Sequence, residues 1–151
     1  MTVPTGFDVR PLEGAGPLRF GMDANAVASI LGSPEHVSVN HLGQTVEFRG
    51  ALTLGYGSDQ GALLNHIAFG PLATGVVFKD TGFFVDDDRV VIERLIAICP
   101  AGTYLGFLVF PELGLALTGF HDRDLSQRAV TLFPRGAWDK RIGKLTPYTL
   151  P

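Results

Sequence analysis

The chain has 151 residues, 46% of them hydrophobic and 18% charged, with a mean hydropathy of +0.24. That balance excludes a disordered chain, which needs few apolar residues and high net charge. Nineteen glycines and ten prolines also argue against a coiled coil or helical bundle, because they punctuate the chain into short elements. The net charge of −3 leaves no broad basic surface for a phosphate backbone. The nearest basic stretch, Arg135, Lys140, Arg141 and Lys144 beside Trp138, is interrupted by Asp139 and reads as a solvated tail covering an edge of the fold.

The chain order begins with a short strand at Leu18–Gly21. Asp23 then stands at an N-cap position, Val27, Ile30 and Leu31 form one apolar stripe, and Gly32 and Pro34 close a helix of about two turns. So short a helix is unstable alone and must lie against an apolar surface. Three strands follow at 44–48, 51–56 and 63–69, separated by Gly43, Arg49-Gly50 and residues 57–61. The order then repeats: a strand at Phe83–Val85, a capping cluster at Asp86-Asp87-Asp88, a helix with its stripe at Val91, Ile92, Leu95 and Ile96, and strands at 105–110, 113–118 and 128–133.

Corresponding landmarks keep a near-constant separation. Phe20 and Val85 lie 65 residues apart, as do Asp23 and Asp88 and also Val27 and Ile92, while Phe48 and Phe110 lie 62 apart and Phe69 and Phe133 lie 64 apart. The spacing predicts an α+β fold of two tandem βαβββ-like units, 7–70 and 76–136, with a C-terminal tail at 137–151. Neither unit is long enough to bury a core comfortably by itself. The two are therefore expected to share an antiparallel sheet with the short helices packed on one face, related by a pseudo-twofold axis within one domain.

The Gly21-Met22-Asp23 start, the Val27 position and the Leu31-Gly32-Ser33-Pro34 end resemble the signature of the BamE-like and β-lactamase-inhibitor-protein-like superfamily. In the second half Asp86-Asp87 replaces Gly-Met and no Leu-Gly-x-Pro closes the helix. The resemblance implies helices on one face of an antiparallel sheet, tandem units in the inhibitor branch, and a function in binding another protein. Exported relatives of that kind carry a leader. The Met1–Gly6 segment here has neither a positive n-region nor an apolar stretch, so a cytoplasmic location is expected. A cytoplasmic, acidic chain with one cysteine also has the general character of immunity proteins that neutralise bacterial toxins.

Catalytic groupings are sparse. His121-Asp122-Arg123-Asp124 could place a base beside its orienting carboxylate, and Asp86 to Asp88 could form a carboxylate or Mg²⁺ site. A solvated loop and a helix N-terminus explain them more simply. Ser29, Ser33 and Ser58 lack a nucleophile elbow, Gly14-Ala15-Gly16-Pro17 and Gly55-Tyr56-Gly57 lack phosphate-loop context, and Cys99 reads as a small buried hydrophobe. His36, His41 and His66 show no zinc-ligand spacing.

No catalytic residue, cofactor or metal is therefore expected, nor a nucleic acid or membrane partner; the longest apolar runs fall far short of a span. Binding is left to the free face of the sheet. Glu47, Tyr56, His66, Tyr104 and Phe120 are the candidate contacts, with Asp122 and Asp124 at the rim matched to a basic toxin surface. Two alternatives stay open: a small hydrolase or metal-dependent enzyme using the His121/Asp122 and Asp86–Asp88 clusters, and a homo-oligomeric scaffold, possible as a homodimer.

Overall fold

The computed structural model describes residues 6–57 and 62–151. Helix α1, Ala24–Leu31, begins where the sequence places it, because the Asp23 carboxylate accepts the Ala26 N–H at 2.8 Å. It ends at Gly32, whose N–H still bonds the Ala28 carbonyl at 2.9 Å and whose φ of 79° turns the following chain out of the helix. Helix α2, Asp88–Ile96, is capped by Asp87, one residue earlier than the landmark spacing predicts. Val27 and Leu31 of α1 and Val91, Ile92 and Leu95 of α2 are buried in the same apolar core.

The strands are β1 (Phe7–Arg10), β2 (Gly14–Ala15), β3 (Leu18–Arg19), β4 (His36–Val39), β5 (Thr45–Arg49), β6 (Leu52–Tyr56), β7 (Leu64–Phe69), β8 (Val76–Phe78), β9 (Thr81–Gly82), β10 (Ala101–Tyr104), β11 (Phe107–Phe110), β12 (Leu115–Thr118), β13 (Ala129–Leu132) and β14 (Thr146–Tyr148). Nine of them make one antiparallel sheet, in the order β14-β10-β11-β12-β13-β7-β6-β5-β4. Two four-stranded meanders, β4–β7 and β10–β13, thus meet at their last strands, with Val130 opposite Phe69 and Leu132 opposite Ile67.

The other five strands form a small sheet, β3-β2-β1-β8-β9, whose β1 and β8 are parallel. Of this layer the sequence reading placed only the short strand at Leu18–Gly21, observed as β3, because the strands are two to four residues long. Phe7, Val9, Val76 and Phe78 bury into the same core as the helices. The large sheet therefore has one covered inner face, closed by α1, α2 and the small sheet. The class is α+β. The strand order runs outward in chain-reversed sequence on both sides of the β7–β13 seam in the large sheet, whereas the small sheet joins the halves through the parallel β1–β8 pair.

Several predicted boundaries move. The predicted strand at Phe83–Val85 is a turn after β9, and Phe83 is a core residue. The predicted strand at 105–110 splits: Leu105 and Gly106, with φ of 48° and 90°, form a two-residue hairpin between β10 and β11. Strand β4 was missed because His-Val-Ser-Val is short and lies at a sheet edge. The tail is not simply solvated either, since β14 pairs with β10 and Trp138 is buried.

Gly119 fixes the exit from β12. Its φ is 78°, and a Cβ there would meet the Asp124 carbonyl oxygen at 2.5 Å and the Arg128 nitrogen at 2.6 Å, both main chain. Gly119→Ala should therefore destabilise the fold by about 2 kcal/mol or more. Urea unfolding with an unchanged m-value would measure that loss; a midpoint within error of wild type would contradict the tight approach.

Candidate functional site

Strand register decides which side chains look outward. Along β5, Glu47 sits opposite Leu54 and Thr45 opposite Tyr56, so these face inward; Val46 and Phe48 sit opposite Gly55 and Thr53 and face outward. The same alternation puts His66 (β7), Thr131 (β13), Ala116 (β12), Phe107 and Val109 (β11) and Tyr104 (β10) on the outer face.

The outer face is covered over one half only. Residues 134–145 fold back across β11–β13, and Trp138 packs with Val109, Ala116 and Phe133 in a small second core. Tyr104 and Phe107 meet the indole edge-on, both at 5.9 Å, and the Arg141 guanidinium lies 4.1 Å over its ring. Nothing among the described residues covers the outer face of β5–β7 in the same way. The step between the covered and bare halves is a groove of 570 Å³. Thr53 and Gly55 floor it, Asn65 and His66 line its centre, Asn40 and Gln44 stand at one end, and Trp138 and Arg141 form the wall.

Among the described residues no carboxylate lines the groove. Its ionisable lining side chains are Arg141 and His66, since the Tyr56 phenol turns to the inner side, and among the described residues Arg141 forms no ion pair, its Nη2 donating to the Ala137 carbonyl at 3.2 Å. His66 keeps solvent contact, yet the surrounding walls desolvate its imidazole and lower its pKa. At neutral pH the groove thus offers amides, hydroxyls, a neutral imidazole, aromatic edges and one guanidinium.

Of the predicted contact residues, the structure brings His66 to the centre of this groove and Tyr104 to the packing behind its wall. Glu47 and Tyr56 are corrected. Both are buried on the inner side, where Tyr56 Oη donates to Glu47 Oε1 at 2.9 Å, Arg49 Nε donates to the same oxygen at 3.1 Å, and Arg49 Nη1 donates to the Gly32 carbonyl at 2.8 Å. This network ties β5 and β6 to the end of α1. Arg49 also lines an apolar cavity of 440 Å³ beside Phe7, Leu31, Leu52 and Phe69.

Phe120 is corrected too: it is fully buried against Phe84, with the Arg128 guanidinium 4.6 Å from its ring. Asp122 and Asp124 do not rim the groove. They are exposed and cap their own loop, Asp122 accepting the Asp124 N–H at 3.2 Å and Asp124 accepting from Ser126.

The second acidic cluster also divides among structural tasks. Asp86 accepts the Gly82 N–H and pairs with Arg94 at 3.1 Å, Asp87 caps α2, and Asp88 pairs with Arg128 at 2.7 Å. Burial pushes the Asp88 carboxyl up, and Arg128 partly offsets that. Among the described residues no three His, Cys, Asp or Glu side chains gather where a metal ion could be held. Cys99 is buried, and desolvation raises its thiol pKa to about 11, which leaves it protonated and unreactive at neutral pH.

No family model, curated protein or solved structure matches this chain. The groove therefore rests on its own geometry. Thr53, Thr131, Phe107, Trp138 and Arg141 were missed by sequence reading. The period-2 alternation could have found the two threonines, but nothing local announces that a chain end returns to build the wall. No helix among the described residues is long and apolar enough to cross a membrane.

Proposed function

We propose that the chain is a protein-binding module of the immunity type, which neutralises a toxin enzyme by covering its active site with the outer face of the large sheet. One observation carries the reading: half of that face is left bare by the described residues and is bounded by a wall built on Trp138, a shape that gives a partner both a platform and an edge to register against. The Gly-Met-Asp to Leu-Gly-x-Pro resemblance and the matching strand order of the two meanders support tandem BamE-like units. The groove's chemistry alters the charge expected of the partner. With Arg141 and no acid among the described lining residues, it suits a neutral or acidic polar segment rather than a basic one.

The test is retrieval from native cells with tagged wild type, with Thr53→Arg, which fills the groove floor, and with the double variant Asp122→Ala/Asp124→Ala. One protein should be enriched by wild type and by the loop variant and lost at least about tenfold with Thr53→Arg. When expressed alone, that protein should arrest growth. The reading fails if groove and loop variants retrieve the same proteins, or if the retrieved protein is harmless.

A further inference from the structure

The two ends of the nine-stranded sheet are treated differently. At one end β14 carries Pro147 at its centre, and a proline offers no N–H to a further strand. At the other end β4 is His36-Val37-Ser38-Val39, with no proline and no Lys, Arg, Asp or Glu. Proline and charged side chains, two of the usual means of blunting a sheet edge, are absent from this strand.

The free groups on β4 can be assigned. The Asn40 N–H donates to the Gln44 carbonyl, and Ser38 lies opposite Val46. Hydrogen-bonded pairs alternate along an antiparallel ladder, so Ser38 directs its main-chain groups to β5. Val37 and Val39 direct theirs away from the sheet. Their side chains are 48% and 66% exposed, and both lie on the inner-face side, opposite Glu47 and Thr45.

We propose that a second copy of this chain occupies this edge, with β4 running antiparallel to β4 across a twofold axis through Ser38. Val37 of each copy then faces Val39 of the other, their outward N–H and C=O groups bond reciprocally, and four exposed valines are buried together. The pattern Val-Ser-Val reads the same in both directions, which is the self-complementarity that an isologous interface requires. The molecule already contains one such join, where β7 and β13 unite the two meanders. A four-residue overlap is a small interface, so the dimer forms in proportion to concentration. On the outer face, Asn40 stands at one end of the groove, so pairing at β4 makes the bare faces of the two copies continuous.

Ser38 would face its own counterpart as a non-hydrogen-bonded pair with Cα atoms about 4.5 Å apart, a separation that a disulfide spans. Ser38→Cys should cross-link under mild oxidation about tenfold faster than Val46→Cys, one strand inward. Buried Cys99 should remain silent in both. In sedimentation equilibrium from micromolar to millimolar concentration, wild type should move from monomer toward dimer. Val39→Lys should weaken that association at least about tenfold, with an unchanged circular dichroism spectrum and melting temperature. A wild type that stays monomeric throughout, or equal cross-linking at positions 38 and 46, would overturn the proposal. Neither result bears on whether the groove binds a protein partner.

Discussion

Glu47→Ala should destabilise the protein by about 3–5 kcal/mol, the cost of leaving a buried guanidinium without its counter-charge. The Arg49 and Glu47 side chains are only 7% and 6% exposed, and Arg49 Nη2 is buried without a hydrogen-bond partner among the described residues even in the intact network. Removing the carboxylate would orphan Nε as well and take away the acceptor of the Tyr56 hydroxyl. Glu47→Leu combined with Arg49→Met should cost much less than either charge-orphaning single change, because an apolar pair replaces both desolvated charges together. Urea unfolding of the two singles and the double closes the cycle. Additive losses would show that the two residues do not act as one unit.

The same network predicts an alkaline limb. Burial first, and then the hydrogen bond to Glu47, hold the Tyr56 phenol well above its ordinary value. The folded protein thus keeps that proton more tightly than the unfolded chain does. The stabilisation is complete below the unfolded pKa, about 10, and is lost as the pH rises beyond it. Tyr56→Phe should flatten the fall in melting temperature above that pH relative to wild type.

The second large effect is expected at Trp138. Trp138→Ala should cost about 3–5 kcal/mol, in the range for deleting a large buried aromatic side chain, because the indole is the centre on which Tyr104, Phe107, Phe133 and Arg141 converge. Trp138→Phe should recover most of that stability while lowering the groove wall. Retention of the partner by Trp138→Ala at full strength, in a variant shown to be folded, would remove the wall from the binding account. A midpoint shift near zero would mean that residues 134–145 are not held by the indole.

The local features were legible in the sequence. Asp23, the Val27/Leu31 stripe and Gly32 define α1 because capping and the 3.6-residue period act within a dozen neighbouring residues. The Val91/Ile92/Leu95 stripe defines α2 for the same reason, and the Asp cluster capped it as read, one residue away from the expected position. The meanders were legible as groups of strands between glycines. Their facing was not, because a shift of one residue in register exchanges the two faces of a strand. Glu47 shows the consequence: alternation with Val46 and Phe48 marks it as polar and outward, whereas pairing with Leu54 turns it inward to Arg49 and Tyr56.

The sequence by itself determined an apolar α+β chain with two short capped helices, each preceding a run of antiparallel strands. Glycine, proline and cap residues set those features through local sterics and hydrogen bonds. Only the tertiary structure decided that β7 and β13 join the runs into one nine-stranded sheet, that a small second sheet closes the core, and that residues 134–145 shelter half of the outer face and leave a groove beside it. These outcomes depend on contacts between residues far apart in the chain, such as Phe69 with Val130 and Ala116 with Trp138. Long-range burial selects among strand orders that local preference leaves equivalent.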